Sequence, residues 1–330
     1  MSRRPAGGGT ILVVGDVIDD IVVRPERPPV PDADTPSEIT ACPGGSAANQ
    51  AAWLGSLGAA VRFAGRVGAG DVARHTAALR ACGVDARLAA DPSAPTGQIV
   101  VLAVDGRRDM YTSRGANLNL TAADLPDDLL DDVSLLHITG YSLFHPPVRA
   151  AVATLMARAR EHGIPLSADP SSATYLTSPS GFLAHTQEAT LLFPNLDEAR
   201  LLAATPPHEP LVTLTEPREP TGTIGAQVGA LGSDGSLEEA HAIADVLVRT
   251  YEVVALKLGP AGALLATAGG LRLHHRAPAT RLTDPTGAGD AFCAAFLASW
   301  TAGDDLPTCL TTAQQTAATA LTTPGARPSL

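Results

Sequence analysis

The stretch Asp284-Pro-Thr-Gly-Ala-Gly-Asp290, followed at once by the apolar run AFCAAFLASW over residues 291–300, is the most informative part of this 330-residue sequence. Its glycines allow tight backbone turns, so the amide N–H groups of the loop can converge where the apolar helix begins. A helix N-terminus with free N–H groups attracts phosphate. An aspartate there cannot itself bind phosphate, because like charges repel, but it suits a general base beside a phosphate site. A helix-capping role for Asp290 is the alternative.

The tetrapeptide Gly-Ala-Gly-Asp also occurs at residues 68–71, before the helix-like run VARHTAALRACG. This second copy lacks the Asp-Pro-Thr sequence that precedes the first, and we interpret its Asp71 as a helix cap. The tetrapeptide alone is therefore weak evidence, and its surroundings must decide its meaning.

Strand-like and helix-like segments alternate along most of the chain. The strand-like runs are short and apolar, which is typical of buried parallel strands. They cover residues 11–14, 61–64, 98–104, 135–138, 166–168, 190–193 and 253–258. The helix-like runs between them cover residues 47–57, 71–81, 147–161, 196–203, 237–250 and 291–301. This alternation predicts right-handed βαβ units, and so a three-layer α/β/α fold with a mostly parallel central sheet in one domain over residues 1–330.

Three segments do not follow this alternation. Residues 21–39 are rich in Pro and acidic residues, and residues 98–117 contain the hairpin-like dipeptide Asp105-Gly106. The two segments could together form a small second sheet that projects from the main one. Residues 205–235 are rich in Pro, Gly and Thr with little periodicity, and we interpret them as a long surface excursion without an assigned role.

The composition argues against several classes of function. The net charge is −11 and no run of Lys or Arg forms a basic stripe, so nucleic acid and anionic membranes are not expected as partners. No apolar stretch approaches the roughly 18 residues of a membrane helix, and the first residues do not resemble a secretory signal. The four cysteines are far apart and form neither a zinc motif nor a disulfide framework: Cys42, Cys82, Cys293 and Cys309. We therefore expect a soluble, cytoplasmic protein.

Two further motifs stand where a ligand could bind. Gly44-Gly45-Ser46-Ala-Ala-Asn49 opens a helix, and its paired glycines would let a ligand approach the backbone while Asn49 bonds a hydroxyl. A Gly-rich loop with Ser46 as an ordinary N-cap is the alternative. Gly15-Asp16-Val-Ile-Asp19-Asp20 follows the first strand, and ligands of open α/β sheets bind beyond the carboxyl ends of strands. A solvated acidic turn is the alternative there.

The glycine pair with Asn49 and the run at 284–290 resemble the two signature motifs of the ribokinase-like (PfkB) carbohydrate kinase family. Three more segments, in the matching order, are similar to other motifs of that family. They are Asn195-Leu-Asp-Glu198, which resembles its Asn-x-x-Glu motif; Lys257-Leu-Gly259-Pro-Ala-Gly262, which resembles its nucleotide-loop segment; and Gly325-Ala-Arg-Pro-Ser329, which resembles its C-terminal cation-binding segment. The resemblance covers nearly the whole chain.

The resemblance implies an ATP-dependent kinase that phosphorylates a hydroxyl of a sugar or a similar small molecule. Asp290 would be the catalytic base, and the amides of Gly287, Ala288 and Gly289 would form an anion hole for the transferring phosphoryl group. The acceptor would be held by Asp20, Gly44, Gly45, Asn49 and Arg114. The segments at about 17–42 and 97–117 would form a lid that excludes water, and a homodimer could form through this lid.

The resemblance also implies ATP, Mg²⁺ and a monovalent cation such as K⁺ as cofactors. Nucleotide contacts would come from Asn195, Lys257, Gly259 and Gly262, and Glu198 would bind Mg²⁺ through water. The monovalent cation would be held by Asp284, Thr286, Gly325 and Ser329. Independently of the family, Lys257 is the only lysine among the 23 Lys and Arg residues. Its place at the end of a predicted strand suggests a contact with phosphate or nucleotide, and chance placement on a buried stem is the alternative. The chain contains no GxxxxGK[ST] sequence, so a P-loop is excluded.

Two positions depart from ribokinase itself: Ser46 and Gly140 stand where that enzyme has a lysine and an acidic sugar ligand. D-ribose is therefore expected to be a poor substrate, and a hexose, a keto-deoxy acid or a nucleoside to be preferred. Gly140 removes side-chain volume next to Tyr141, whose ring could stack on a sugar or base, which predicts a roomier and less polar pocket. Arg114 could pair with an acidic acceptor, or be a solvated lid residue. A nucleoside kinase of the same family and a catalytically silent binding protein are the alternative functions.

Overall fold

The computed structural model describes residues 8–104, 107–205 and 235–329. The predicted turn Asp105-Gly106 and all but the ends of the segment 205–235 lie outside the described residues. The strands are β1 (Thr10–Val14), β2 (Ile18–Pro25), β3 (Ser37–Gly44), β4 (Val61–Gly68), β5 (Val84–Asp91), β6 (Gly97–Val104), β7 (Arg107–Ser113), β8 (Val133–Thr139), β9 (Leu166–Asp169), β10 (Leu191–Leu192), β11 (Val253–Lys257), β12 (Ala263–Thr267) and β13 (Arg272–His275). The α-helices are α1 (Ser46–Ser56), α2 (Val72–Ala81), α3 (Tyr141–Phe144), α4 (Pro146–Glu161), α5 (Pro179–Thr186), α6 (Leu196–Ala203), α7 (Gly235–Leu247), α8 (Ala288–Ala302) and α9 (Leu306–Ala320).

Nine of the strands form one sheet in the order β13-β12-β11-β10-β9-β8-β1-β4-β5. Neighbours from β11 to β5 pair in parallel, whereas β12 and β13 add antiparallel strands at one edge. The chain builds outward from β1 through β4 and β5, and then from β8 through β9, β10 and β11 on the other side. The strand order thus reverses between β1 and β8, and open α/β sheets bind their ligands at such a reversal, beyond the carboxyl ends of the strands.

The main sheet is buried on both faces. In β1, Leu12 and Val14 belong to the core that includes residues of α4 to α7, whereas Ile11 and Val13 belong to the core that includes α1, α2, α8 and α9. Successive residues of a strand face opposite sides, so a strand covered on both faces must be apolar throughout. This explains the uninterrupted run Ile11–Val14, and it confirms the predicted three-layer α/β/α fold with a mostly parallel sheet.

A separate four-stranded sheet has the order β3-β2-β6-β7. β2 pairs antiparallel with β3 and parallel with β6, and β6 pairs antiparallel with β7. The predicted second sheet is therefore present, built from the two segments that break the alternation of the sequence. Three large apolar side chains of this sheet are mostly exposed: Ile39, Met110 and Tyr111.

None of the helices in the described ranges is long and apolar enough to cross a membrane.

Candidate active site

Asp290 lies in the first turn of α8, directly after the glycine loop. Gly287 precedes this helix in the left-handed conformation with φ 78°, and a Cβ atom there would come within 2.5 Å of the carbonyl oxygen of Ala326. Glycine satisfies both requirements, because it adopts positive φ without strain and carries no Cβ. The loop therefore brings the amides of residues 287–289 and the Asp290 carboxylate to the same end of one helix.

The Asp290 carboxylate accepts hydrogen bonds from three side chains of α1. Ser46 Oγ and Gln50 Nε2 donate to Oδ1 at 2.7 Å and 3.2 Å, and Asn49 Nδ2 donates to Oδ2 at 3.1 Å. The carboxylate is thus directed toward α1, which the capping alternative does not explain. Burial raises the pKa of Asp290 to about 7, although the bonds from Ser46 and Asn49 act in the opposite direction. A carboxyl group with a pKa near neutrality is suited to accept a proton as a general base.

The start of α1 is capped by Asp16 rather than by Ser46. The Asp16 carboxylate accepts the backbone amides of Ser46 at 3.3 Å and of Ala47 at 3.1 Å. The N-cap position itself is Gly45, whose φ is 93° and whose Cβ would come within 2.6 Å of the Asp16 carbonyl oxygen. The interpretation of Ser46 as an N-cap is therefore wrong, and its hydroxyl bonds Asp290 instead.

The acidic stretch after β1 is not a solvated turn. Asp20 is buried, and a Cβ atom on Gly44 would lie 2.2 Å from its carboxylate, so Gly44 gives Asp20 the room to approach the loop. Burial and the nearby charge of Asp16 raise the pKa of Asp20 to about 6. Asp19 forms an ion pair with Arg74 at 2.7 Å. The predicted acceptor residues Asp20, Gly44, Gly45 and Asn49 are thus assembled around the N-terminus of α1.

A buried ion pair lies beneath the glycine loop. Lys257 Nζ at the end of β11 is 3.1 Å from Asp169 Oδ2 at the end of β9. The same carboxylate oxygen accepts bonds from Cys293 Sγ at 3.1 Å and from Gln50 Nε2 at 3.3 Å, so Gln50 bridges Asp169 and Asp290.

Both members of this ion pair are held in their charged forms. Burial alone would lower the pKa of Lys257 and raise that of Asp169, but the attraction between the two charges, together with the neighbouring charges and hydrogen bonds, outweighs burial in each case. A Cβ atom on Gly289 would lie 3.8 Å from the ammonium, so Lys257 adjoins the predicted anion hole although its charge is already paired. A contact between Lys257 and nucleotide stays a prediction.

Asn195 and Glu198 form a reciprocal capping box at the start of α6. Asn195 Oδ1 accepts the Glu198 amide at 2.9 Å, while the Glu198 carboxylate accepts the backbone and side-chain N–H groups of Asn195 at 2.8 Å and 2.7 Å. Both carboxylate oxygens are therefore already engaged, and burial raises the pKa of Glu198 to about 7. This arrangement fits a Mg²⁺ contact through water better than direct ligation. In the described ranges no cluster of three or more His, Cys, Asp or Glu side chains is arranged to hold a metal ion by itself.

The two glycines of the predicted nucleotide loop have different surroundings. Gly262 has φ 98°, and a Cβ atom there would lie 2.0 Å from the carbonyl oxygen of His275, so close backbone packing against the end of β13 accounts for this glycine. Gly259, with φ 57°, faces open space. A nucleotide contact remains a prediction for both residues, and it is easier to reconcile with the position of Gly259.

Asp284 joins the glycine loop to the C-terminal segment. Its carboxylate accepts the amide of Thr286 at 2.9 Å and the amide of Gly325 at 3.1 Å. Three of the four residues predicted to hold a monovalent cation are therefore together, and the fourth, Ser329, is exposed further along the same segment. A carboxylate among backbone groups of two crossing segments is chemically suited to such a cation.

Two interpretations at the edge of the site are wrong. Arg114 is not a solvated lid residue, because it is buried, lies 3.3 Å from Asp16 and places its guanidinium carbon 3.9 Å from the ring centre of Tyr141. Gly140 does not enlarge the pocket, since a Cβ atom there would lie 2.2 Å from the carbonyl oxygen of Pro170. The face of the Tyr141 ring is covered by Arg114 rather than open to a sugar or base.

A small cavity lies behind Arg114, with a volume of about 20 Å³. Asp16, Arg114 and Tyr141 are among the residues that line it. A volume of this size accommodates a single water molecule and not a sugar. This cavity is therefore too small to be the predicted acceptor site.

Three residues of the site were missed from the sequence: Gln50, Asp169 and Arg327. Gln50 directly follows Asn49 on α1, and Asp169 directly follows the predicted strand 166–168, where the rule applied to Asp16 and Asp20 would have found it. Arg327 donates from Nε to Asn49 Oδ1 at 3.1 Å and from Nη2 to the Gly44 carbonyl at 3.0 Å. No sequence signal links Arg327 to residues more than 270 positions away.

Comparison with known proteins gives the same assignment over almost the whole chain. Residues 9–330 match the profile of the family described as pfkB family carbohydrate kinase. Fructokinase-1 of Zea mays is 34% identical over 170 residues, which are 50% of this chain and 52% of that protein. The matched region thus spans about half the length of this curated relative.

Solved structures share the fold at low sequence identity. Adenosine kinase from Sinorhizobium meliloti superposes with a TM-score of 0.79 at 22% identity, covering 98% of this chain and 96% of that one. A ribokinase-type protein from E. coli, solved in complex with ATP and Mg²⁺, gives a TM-score of 0.78 at 24% identity, covering 97% and 94%. Since the family profile covers nearly all of the sequence and the fold agrees with it, the chain belongs to the pfkB family of carbohydrate kinases.

Proposed function

We propose that the protein transfers the γ-phosphoryl group of ATP to a hydroxyl of a sugar or sugar-like small molecule, with Asp290 as the general base. The observation that carries this proposal is the setting of the Asp290 carboxylate, which is held by three donors of α1 at the N-terminus of α8. Its pKa of about 7 leaves about half of the carboxylate deprotonated, and so able to accept a proton, at pH 7, while giving it more basicity than an ordinary aspartate.

In this proposal, the N-terminus of α8 provides the base and the anion hole, and the N-terminus of α1 provides the residues that orient the acceptor. An acceptor hydroxyl beside Asp290 would lose its proton to that carboxylate as the new O–P bond forms. The amides of residues 287–289 would stabilise the negative charge that develops on the transferring group. Asp20, Gly44 and Asn49 would orient the acceptor from the N-terminus of α1, where Asn49 already bonds Asp290.

The residues present fit the cofactors that the family implies. Asn195 and Glu198 would organise Mg²⁺ through water, and this ion, when bound, neutralises phosphate charge. Lys257, Gly259 and Gly262 would lie along the nucleotide. Asp284, Thr286, Gly325 and Ser329 would hold a monovalent cation such as K⁺ that braces the anion-hole loop without touching the substrate. The E. coli ribokinase-type structure with ATP and Mg²⁺ supports the first two cofactors by similarity.

The acceptor is more consistent with a neutral polyhydroxyl compound than with an acid. Arg114 is the cation of the proposed lid nearest the site, and its charge is already paired with Asp16. An acidic acceptor would have to replace Asp16 as its partner. Ser46, which takes the place of the ribokinase lysine, bonds Asp290 rather than presenting a positive charge to the sugar. By resemblance to ribokinase, Ser46 and Gly140 replace the two charged side chains that would hold a pentose, so D-ribose is expected to be a poorer substrate than a hexose or a nucleoside.

The small sheet would act as the lid, and it also offers a surface for a homodimer. A homodimer would bury part of the apolar surface of the two edge strands β3 and β7, where Ile39, Met110 and Tyr111 are 65%, 67% and 62% exposed.

The function is tested by measuring ADP release and product formation with ATP and a panel of acceptors. The panel contains D-ribose, hexoses, keto-deoxy sugar acids and nucleosides. We expect at least one hexose or nucleoside to give a higher kcat/KM than D-ribose. Phosphorylation of nucleosides alone would identify a nucleoside kinase, and ATP binding without turnover on any acceptor would identify a silent binding protein.

The base is tested by comparing D290N with D71N, a matched control in the second Gly-Ala-Gly-Asp copy. Asn keeps the shape of Asp but cannot accept the proton, so D290N should lose about 10²–10⁴-fold in kcat while still binding ATP. D71N should keep turnover within about twofold, because Asp71 bonds Thr96 and Arg74 and not the site. More than about a tenth of wild-type turnover in D290N would contradict the assignment.

A further inference from the structure

Three consecutive residues near the end of the chain each contact a different part of the candidate active site. The amide of Gly325 donates to Asp284 at 3.1 Å. The carbonyl of Ala326 accepts Trp53 Nε1 at 3.0 Å and lies against the Cβ position of Gly287. The guanidinium of Arg327 follows and reaches α1. We call residues 325–327 the C-terminal strap.

The Arg327 side chain donates two hydrogen bonds at the start of α1. Nε donates to Asn49 Oδ1 at 3.1 Å, and Nη2 donates to the Gly44 carbonyl at 3.0 Å. Burial lowers the pKa of Arg327 to about 10, which leaves the group charged at neutral pH. Its Nη1 atom is buried without a hydrogen-bond partner among the described residues. Burial of a charged group with one unsatisfied nitrogen is costly, so stability alone is a poor explanation for this arginine.

The contact with Asn49 determines which way its side-chain amide faces. An amide has a carbonyl end that accepts and an NH₂ end that donates, whereas a guanidinium can only donate. Arg327 therefore selects the orientation in which Oδ1 faces the strap, and this leaves Nδ2 to donate to Asp290 at 3.1 Å. The opposite orientation would place two donors against each other at Arg327 and two acceptors against each other at Asp290.

We propose that Arg327 is a positioning residue, which fixes the Asn49 amide so that its NH₂ group donates to the catalytic carboxylate of Asp290. This inference rests on the proposed function, because it takes Asp290 to be the base. Arg327 would thus connect the C-terminal strap to Asp290 through the Asn49 side chain, without itself contacting the substrate.

The consequence is an effect on the proton affinity of Asp290. The bond from Asn49 stabilises the charged carboxylate and so lowers its pKa against the effect of burial. Without Arg327 the amide can turn over and present Oδ1, which favours the protonated carboxyl. An enzyme whose general base must be deprotonated loses activity as the pH falls through the pKa of that base. Removal of Arg327 should therefore move the acid limb of the pH–rate profile to higher pH.

The test measures kcat/KM against pH for R327M, R327K and W53F. Met keeps an unbranched chain but has no donor, and we expect it to move the acid limb upward by about one pH unit, with a loss of roughly fivefold at pH 7 that recovers at higher pH. R327K keeps a charged donor group at a single nitrogen and should fall between R327M and the wild type. W53F removes the hydrogen bond from Trp53 to Ala326 of the same strap but leaves the bond between Arg327 and Asn49. The acid limb of W53F should therefore stay at the wild-type pH.

A second comparison separates positioning from general damage. If Arg327 acts through Asn49, adding R327M to N49A should shift the acid limb no further than N49A alone. An unshifted limb in both R327M and R327K, or a further shift in the double variant, would overturn the inference. If D290N is inactive but the acid limbs of R327M and R327K do not move, the proposed function stands and only the positioning role of Arg327 fails. If D290N stays active, the general-base assignment fails first. Should R327M fail to fold, R327K carries the test.

Discussion

At the scale of single residues, the two Gly-Ala-Gly-Asp copies show that surroundings decide what an aspartate does. Asp71 accepts Thr96 Oγ1 at 2.6 Å and Arg74 Nη2 at 3.0 Å, and these bonds lower its pKa. Its side chain does not cap α2, so the capping interpretation is wrong although Asp71 occupies the N-cap position. Asp290 has only neutral donors and is partly buried, and its pKa is raised to about 7. The same four letters thus give an ordinary carboxylate and a candidate base.

The raised pKa of Asp290 predicts a pH-dependent cost in stability. The unfolded chain ionises this group near pH 4, whereas the native protein holds its proton until about pH 7. The native state therefore binds more protons in that window, and its stability falls as the pH rises from about 4 to 7. D290N has no such charge, so its thermal midpoint relative to the wild type should increase between pH 5 and pH 8. A midpoint difference that is constant over this range would show that Asp290 does not carry the raised pKa.

At the scale of helices and strands, some elements could be predicted closely and others could not. α6 was predicted to the residue as the helix-like run 196–203, and the Asn195–Glu198 capping box in the structure explains why the helix starts there. α9 was missed, since its Thr- and Ala-rich sequence carries few large apolar residues to mark its buried face. β12 and β13 were missed because they are short and pair antiparallel at the edge, outside the βαβ alternation.

The site motifs were found, but most of their contacts were not. Asn49 and Asp290 could each be identified from local sequence, whereas their hydrogen bond depends on how α1 and α8 pack across the fold. The same holds for Gly140, whose missing side chain suggested open space. The carbonyl of Pro170 fills that space, and Pro170 comes from the loop after the neighbouring strand β9. Patterns along the chain give residue types and element ends, and tertiary packing decides partners.

The buried pair of Lys257 and Asp169, at the ends of two neighbouring parallel strands, carries a prediction at this scale. K257M would leave the Asp169 carboxylate buried without its counter-charge and should cost about 3–5 kcal/mol of stability, measured by denaturant unfolding. The double variant K257M/D169N removes both charges and should recover a large part of that loss. The ATP affinity of the double variant then shows whether Lys257 contributes to nucleotide binding. Weakened ATP binding in a stable double variant would support a phosphate contact by Lys257, and equal stability of the single and double variants would contradict the pairing argument.

At the scale of the whole molecule, the site joins distant parts of the chain at one point of the sheet. The strand order reverses between β1 and β8, and the segment after β1 places Asp16 and Asp20 against the start of α1. The C-terminal strap crosses the same region and holds α1 to the loop before α8. The positions of the proposed base, the proposed anion hole and the proposed acceptor loop therefore depend on one another, so a change in the strap should alter the setting of Asp290.

Activation by a monovalent cation is the prediction that tests this dependence. A cation held by Asp284, Thr286, Gly325 and Ser329 would tie the strap to the anion-hole loop, and the strap in turn orients Asn49 through Arg327. Turnover in K⁺ should then exceed turnover in tetramethylammonium several-fold at equal ionic strength, because the larger ion cannot enter between the segments. The thermal midpoint should also rise with K⁺ concentration, as expected for any ion that binds only the folded state. D284N, which removes the carboxylate, should lose both responses. If wild-type turnover and midpoint are the same in the two salts, the loop and the strap are held by their own hydrogen bonds and the cation has no part in the site.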